Sequence, residues 1–157
     1  MSACVEPMMA QSSAFRAFEK AFTMLGTVLI VDDDVSWSET TAGALREAGF
    51  QVFVAHDGSK GAALLERESP TVVILDVHLP GLSGLDLLRE FRQRDRLTPV
   101  LMVSADDQAA IQDRAMADGA SAFLRKPVSL SLLLRAVQRQ ARDGDGRSRP
   151  TRTGGGT

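Results

Sequence analysis

Five short apolar runs occur along the middle of this chain, and a stretch with apolar residues at helical spacing follows each of them. The runs are apolar at successive positions, which is typical of parallel strands that helices cover on both faces. Strict alternation of strand and helix therefore predicts an α/β fold with a doubly wound, five-stranded parallel sheet. The runs lie at residues 27–31, 51–54, 71–75, 99–103 and 121–124, with Pro99 at the start of the fourth.

The intervening helices carry their own start and stop signals. Ser83 and Ser129 stand where a serine side chain can cap the third and fifth helices, and Gly49 is placed to end the first helix. The fourth helix, near residues 108–117, is only weakly amphipathic. The apolar stripes comprise Trp37, Thr41, Leu45 and Ala48 in the first helix, Leu64 and Leu65 in the second, Leu87, Leu88 and Phe91 in the third, and Leu130, Leu133, Leu134 and Val137 in the fifth.

These elements predict one domain at residues 27–142, with a different composition on either side of it. Residues 143–157 are rich in Gly, Arg and Thr and contain almost nothing apolar, which predicts a disordered tail. Residues 1–26 carry apolar residues at helical spacing. Two interpretations of them stay open: a packing or dimer-forming helix, or a mis-annotated start with translation beginning at Met24. The spaced residues are Phe15, Phe18, Phe22 and Leu25.

The composition gives little reason to expect binding to nucleic acid or membrane. The 157 residues are 24% charged and have a formal net charge of −2, so no strong overall field attracts a polyanion or an anionic surface. No apolar run is long enough to cross a bilayer, and the first residues lack the layout of a secretion signal. The single cysteine, Cys4, cannot form an internal disulfide, which fits a reducing compartment. We therefore expect a cytoplasmic protein.

Chemically active side chains follow four of the five predicted strands. In an open α/β sheet the ligands bind at the carboxyl ends of the strands, near the point where the strand order reverses. Residues that follow separate strands are therefore expected to lie close together. They are Asp32, Asp33 and Asp34 after the first strand, Asp76 after the third, Ser104 after the fourth, and Lys126 with Pro127 after the fifth.

Three polar residues at this edge have simpler interpretations. Asp34 extends the acidic run and is more simply explained as the N-cap of the first helix. His56 and Asp57 follow the second strand, which we expect at an edge of the sheet, so we predict that they lie outside the site.

The remaining residues have the types that a phosphoryl-transfer site requires. Carboxylates from two strand ends repel one another unless a hard cation lies among them, and Mg2+ suits such a position. Asp76 could then act as a nucleophile and form an acyl phosphate. The Lys126 ammonium would neutralise charge on the phosphoryl oxygens, and Ser104 would donate a hydrogen bond to one of them. Each residue alone has an ordinary structural explanation, but their combination favours this site.

Five segments of the chain occur in an order and at a spacing that closely resemble the receiver domain of two-component response regulators, of the chemotaxis-regulator type. The resemblance covers nearly all of residues 27–142 and implies a flavodoxin-like (βα)5 fold. The segments are Val-Asp-Asp at 31–33, Val-Ile-Leu-Asp-Val-His-Leu-Pro-Gly-Leu-Ser-Gly at 73–84, Val-Ser-Ala at 103–105, Gly-Ala at 119–120 and Phe-Leu-Arg-Lys-Pro at 123–127.

The resemblance implies roles for the matching residues of the site. Asp32 and Asp33 would hold Mg2+, and Asp76 would be both the phosphoacceptor and a ligand of the metal. His78 would contribute its backbone carbonyl to the metal, so its imidazole need not be a ligand. Lys126 would bind the phosphoryl group. Ser83, where many receivers have aspartate, is not a position of the site.

The resemblance also implies a conformational switch. On phosphorylation Ser104 would move inward and Phe123 would rotate from an exposed to a buried position. The Lys126–Pro127 peptide bond is cis in the family, which would direct the lysine inward. The face formed by the fourth helix, the fifth strand and the fifth helix would change shape and become the signalling surface. The fifth helix adds Arg135, Arg139 and Arg142 to this face.

The partners and output are expected to follow from this role. The phosphoryl group would come from a sensor histidine kinase or a histidine phosphotransfer protein, and Mg2+-dependent self-phosphorylation and dephosphorylation would be the only chemistry. No output domain is evident, so we expect a single-domain response regulator that signals through a partner protein, as a phosphorelay intermediate or as an adaptor. We expect no direct contact with nucleic acid or membrane, and a phosphorylation-dependent dimer stays open.

Two rival interpretations each fit part of the sequence. The Asp32-Asp33-Asp34 run resembles the start of a haloacid-dehalogenase-type phosphatase, but that family needs a further acidic pair on a strand after its lysine, and only a helix and a tail follow Lys126. The second rival is a phosphorylation-independent, receiver-like interaction module. An acyl phosphate on Asp76 that depends on Mg2+ would exclude this second rival.

Overall fold

The computed structural model describes residues 13–14 and 25–145, and in the second range five strands alternate with five helices. The predictions for most of the first 26 residues and for the tail after residue 145 lie outside the described residues. The strands are β1 (Thr27–Val31), β2 (Gln51–Ala55), β3 (Val72–Asp76), β4 (Val100–Ser104) and β5 (Ala122–Arg125). The helices are α1 (Val35–Glu47), α2 (Gly58–Glu68), α3 (Gly84–Arg94), α4 (Ala109–Ala117) and α5 (Leu130–Asp145).

The strands form one parallel sheet in the order β2-β1-β3-β4-β5, which confirms the predicted doubly wound α/β fold. The order reverses between β1 and β3, because the chain runs outward to β2 from one and to β4 from the other. Val31 pairs with Leu75 in the register of these two strands. The residues that follow them, Asp32 and Asp76, therefore lie side by side at the carboxyl edge of the sheet.

The sheet has a hydrophobic core on each face, and alternate residues of the central strands contribute to one core or the other. In β1, Leu29 and Val31 belong to the core beneath α2, α3 and α4, whereas Val28 and Ile30 belong to the core beneath α1 and α5. All four side chains are fully buried. Burial on both faces explains why the strands are apolar at successive positions.

Most predicted helix ends are confirmed. The Asp34 side chain accepts a hydrogen bond from the Trp37 backbone N–H and caps α1, and the Ser83 hydroxyl accepts one from Leu85 N–H at the start of α3. Gly49 follows α1 with a φ of 106°, a left-handed conformation that glycine adopts without strain.

The structure corrects three details of the prediction. Pro99 precedes β4, which begins at Val100, because proline has no N–H to donate to the neighbouring strand. Helix α5 continues to Asp145, beyond the predicted end of the domain at residue 142. Leu130, the first residue of the predicted apolar stripe of α5, is 39% exposed, whereas Leu133 and Val137 of the same stripe are buried.

Candidate functional site

The two central strands deliver acidic side chains to one point at the carboxyl edge of the sheet. Asp32 is 1% exposed and Asp76 is 7% exposed, whereas Asp33 lies at the surface beside them. One carboxylate oxygen from each of the three residues lies within 4.8 Å of the others. Such a group of oxygen donors fits a hard divalent cation such as Mg2+, which accepts carboxylates and keeps several waters.

The Lys126 side chain reaches this acidic group from the end of β5. Its Nζ lies 2.6 Å from Asp32 Oδ2 and 3.3 Å from Asp76 Oδ2. The Lys126 backbone N–H donates to the Ser104 carbonyl, and the Lys126–Pro127 peptide bond is cis. The ammonium thus provides a positive charge between two buried carboxylates, which would otherwise repel each other.

The electrostatic environment of the site sets its protonation. Burial and, after it, the neighbouring charge of Asp32 raise the pKa of Asp76 from 3.8 to about 6, although the His78 N–H and Lys126 oppose this rise. Burial also opposes the charge of Lys126, but the hydrogen bonds and negative charges of Asp32 and Asp76 together hold its pKa above the ordinary value. The site therefore favours a charged Lys126 ammonium beside an Asp76 carboxyl group whose pKa lies about one unit below neutral pH.

His78 contacts the site through its backbone and points its ring elsewhere. Its N–H donates to Asp76 Oδ1 at 3.1 Å. The imidazole is 64% exposed, and its Nε2 lies 3.1 Å from Asp106 Oδ2. The Gln108 backbone N–H and this imidazole hold the pKa of Asp106 below its usual range. Asp106 is a neighbour of the site that the sequence interpretation missed.

The two predicted switch residues lie on β4 and β5. Ser104 is fully buried, and its hydroxyl accepts a hydrogen bond from Asp106 N–H at 3.0 Å. Phe123 is half-buried and packs against the core beneath α2, α3 and α4, and it pairs with Met102 in the register of the sheet. Ser104 thus holds the loop after β4 in place, beside the acidic group.

The residues that follow β2 differ in their contacts with the site. Asp57 accepts a hydrogen bond from Lys60 N–H and caps α2, which fits its predicted place outside the site. His56 Nδ1, however, lies 3.0 Å from the Asp32 carbonyl oxygen, where it donates a hydrogen bond. His56 therefore braces the backbone at Asp32, and its place outside the site stays a prediction.

One aromatic contact was also missed by the sequence interpretation. The Trp37 ring, which was assigned to the apolar stripe of α1, has its centroid 4.5 Å from Lys126 Nζ. No sequence signal separates this contact from ordinary packing, because an amphipathic stripe does not tell which of its members reaches a neighbouring loop.

The geometry of the site agrees with the family comparison. Residues 28–138 match the model of the response regulator receiver domain. The chain belongs to this receiver family. Receiver domains are signalling domains of two-component systems, they bind Mg2+ at an acidic pocket, and histidine kinases phosphorylate them.

Curated relatives of this chain include bacterial regulatory proteins. It is 40% identical over 119 residues to the probable transcriptional regulatory protein TcrX of Mycobacterium tuberculosis, covering 73% of this chain and 50% of TcrX. It is 43% identical over 108 residues to the transcriptional activator protein PfeR of Pseudomonas aeruginosa, covering 68% of this chain and 34% of PfeR. The chain thus spans half or less of the length of these two curated relatives.

A solved structure agrees with the receiver fold. The CheY-like receiver domain protein of Methanospirillum hungatei superposes with a TM-score of 0.74 at 26% identity, covering 76% of this chain and 96% of that chain. Across the part of this chain that the structure describes, no helix combines the length and apolar character needed to span a membrane.

Proposed function

We propose that Asp76 accepts a phosphoryl group from a histidine kinase or a histidine phosphotransfer protein. The observation that carries this proposal is the position of the Asp76 carboxylate, which lies beside Asp32, Asp33 and the Lys126 ammonium at the carboxyl edge of the sheet. A carboxylate surrounded by a cation-binding group and a lysine is suited to attack a phosphoryl group.

The donor set also supports a bound Mg2+. Asp32, Asp33 and Asp76 would hold it through their carboxylates, and His78 would add its backbone carbonyl. The buried Asp32 and Asp76 carboxylates lie too close together to be stable without positive charge, and Lys126 alone offsets only one of the two. When bound, Mg2+ supplies charge neutralisation and orientation for the phosphoryl oxygens.

The transfer needs no proton at Asp76, and a histidine donor leaves as neutral imidazole when its other ring nitrogen carries a proton. One Asp76 carboxylate oxygen forms a bond to phosphorus, the bond between phosphorus and the donor atom breaks, and the donor leaves with the electron pair. With a pKa of about 6, Asp76 is mostly ionised at neutral pH and can attack. Lys126 would hold the phosphoryl oxygens, since its ammonium already lies 3.3 Å from the Asp76 carboxylate.

The signal would leave the site through Ser104 and Phe123. The Ser104 hydroxyl, now bonded to Asp106 N–H, would turn to a phosphoryl oxygen and move the loop after β4. Phe123 would then become buried, and the face formed by α4, β5 and α5 would change shape. A shift of this kind requires that the phosphoryl group bind one conformation better by a few kcal/mol.

The proposed output is a protein contact on the α4–β5–α5 face. Arg135 and Arg139 of α5 line a surface groove there with the exposed Leu132. A target protein with an acidic and apolar surface fits this chemistry. The chain would serve as an adaptor or as a phosphorelay intermediate that acts through this partner.

The test is to incubate the purified chain with Mg2+ and acetyl phosphate and to follow the intact mass. We expect the gain of one phosphoryl group, lost in Asp76→Asn and on removal of Mg2+ with a chelator. A second receiver domain known to react serves as a control for the donor. If that control reacts and this chain does not, the phosphoacceptor role is wrong, and a phosphorylation-independent interaction module becomes the better explanation.

A further inference from the structure

The chain has a single tryptophan, and its ring faces the ammonium of the site. Trp37 lies in the first turn of α1, where it is half-buried and packs against the core beneath α1 and α5. Its backbone N–H donates to Asp34 Oδ1 at 3.0 Å, so the N-cap of α1 fixes the backbone position from which the indole ring projects. The ring centroid lies 4.5 Å from Lys126 Nζ, within the range of a cation–π interaction.

The three partners of the ammonium lie around it. Lys126 Nζ donates to Asp32 at 2.6 Å and to Asp76 at 3.3 Å, and the face of the Trp37 ring lies against the ammonium as a third contact. The Lys126 side chain is 17% exposed, so water is the alternative partner on that side. A lysine stem has four rotatable carbons, and without a fixed contact it loses its position easily.

We propose that Trp37 is a positioning residue that holds the Lys126 ammonium against Asp76 during phosphoryl transfer. This inference rests on the proposed function. Incoming phosphoryl oxygens compete with the Asp32 and Asp76 carboxylates for the three N–H donors of the ammonium, so its hydrogen bonds rearrange during transfer. The ring contact needs no such exchange, because the face of the indole attracts the cation without accepting one particular hydrogen bond. Trp37 therefore keeps Lys126 in place while its hydrogen bonds change.

The first test compares two substitutions that keep an apolar side chain at this position. Trp37→Phe keeps an aromatic face, whereas Trp37→Leu keeps only the packing. In acetyl phosphate with Mg2+, followed by intact mass, we expect Trp37→Leu to gain its phosphoryl group about 3- to 30-fold more slowly than wild type. Trp37→Phe should restore most of the rate, because the ring still faces the ammonium.

The second readout does not depend on phosphorylation. An aromatic ring shifts the NMR signals of protons above its face upfield, so the Lys126 Hε signals of the metal-free protein should lie upfield of ordinary lysines. Comparison with Lys126→Ala assigns these signals. We expect the upfield shift to persist in Trp37→Phe and to disappear in Trp37→Leu, while the dispersion of the remaining spectrum shows that both variants are folded.

The outcomes separate this inference from the proposed function. A wild type that takes no phosphoryl group overturns the proposed function, and the positioning role with it. A phosphorylated wild type with an equally fast Trp37→Leu overturns the positioning role alone. Equal slowing in Trp37→Leu and Trp37→Phe also overturns it, because the side chain would then act only through packing. Slowing in Trp37→Leu with recovery in Trp37→Phe supports it.

Discussion

Two aspartates stand at strand ends of the same sheet edge, and their surroundings differ. Asp76 ends β3, is 7% exposed, and lies beside Asp32 and Lys126. Asp57 follows β2, keeps 35% of its side chain exposed, and accepts a hydrogen bond from Lys60 N–H at the start of α2. The same residue type at the same edge thus becomes part of a shared charged site in one place and a helix cap in the other.

The position of the strand in the sheet explains the difference. β3 lies between β1 and β4, so the loops that follow both neighbours converge on Asp76 and bury it. β2 is the edge strand and pairs with β1 alone among the strands that the structure describes, so Asp57 meets only its own helix and solvent. Burial raises the pKa of a carboxyl group at a crowded central position. Such a group can serve in a charged site only where groups of opposite charge lie beside it.

The largest expected effect is on phosphorylation. Asp76→Asn should reduce the gain of a phosphoryl group from acetyl phosphate by more than about 100-fold, because an amide is a poor nucleophile. The matched change at the edge strand, Asp57→Asn, should leave the rate within about twofold, since this side chain only caps α2. Both rates are measured by intact mass over time. Equal loss in both variants would show that the contrast between the two strand ends is wrong.

The next largest effect is on stability, at the glycines that begin the helices after β3 and β2. A Cβ on Gly84, at the start of α3, would overlap the backbone carbonyl of Asp76, whereas a Cβ on Gly58, at the start of α2, would lie 2.8 Å from Cβ of Leu82. We expect Gly84→Ala to lower the free energy of unfolding by about 3 kcal/mol or more and Gly58→Ala by less, about 1–3 kcal/mol, because the contact with Leu82 is tight whereas the contact at Gly84 is a direct overlap with the backbone. Urea unfolding measures both.

A third glycine provides the control for that pair. Gly43 lies within α1, and a Cβ there would have nothing within 4 Å. Gly43→Ala should therefore raise the free energy of unfolding by about 0.5–1 kcal/mol through helix propensity alone. If Gly84→Ala were tolerated as well as Gly43→Ala, the turn at the end of β3 would be less tightly closed than the structure indicates.

The pH dependence of stability gives the third test. Because the pKa of Asp76 rises from its ordinary value of 3.8 to about 6 in the folded protein, the folded state binds a proton more tightly than the unfolded state does. Without metal, this group should therefore lower the free energy of unfolding as the pH rises from about 4 to about 6, by up to about 3 kcal/mol. Asp76→Asn removes the effect and should be more stable than wild type at pH 7.

Urea titrations at several pH values in a chelator would measure this effect. The difference in unfolding free energy between Asp76→Asn and wild type should be small near pH 4 and grow toward pH 7. A difference that stays constant across this range would mean that Asp76 is not the group that titrates.

The smallest expected effect concerns the edge-strand aspartate. Asp57→Ala should lower the free energy of unfolding by about 1 kcal/mol, because α2 loses its N-cap. Asp57→Ser should recover most of that loss, since a serine hydroxyl accepts the same hydrogen bond from Lys60 N–H. Thermal unfolding of the three proteins checks this order, and an Asp57→Ser protein as unstable as Asp57→Ala would argue against the cap.

The sequence alone determined the fold and the approximate site. Strands that are apolar at successive positions must be covered on both faces, and alternation with helices makes them parallel. Parallel strands place all their carboxyl ends at one edge, so Asp32, Asp76 and Lys126 could be brought together before any coordinate was known. The position of Asp57 at an edge depends on the order in which the strands pair, which was expected from the fold that the sequence resembles and which the structure confirms.

Only the tertiary structure decided how the side chains around that site meet. Trp37 belongs to an ordinary apolar stripe, yet the path of α1 turns its ring toward Lys126. His56 reaches back to the backbone of Asp32, and the His78 ring turns outward to Asp106. Periodicity states which face of an element is apolar, but the loop conformations set the direction of each side chain at the strand ends. Those conformations depend on contacts between residues that are distant in the chain.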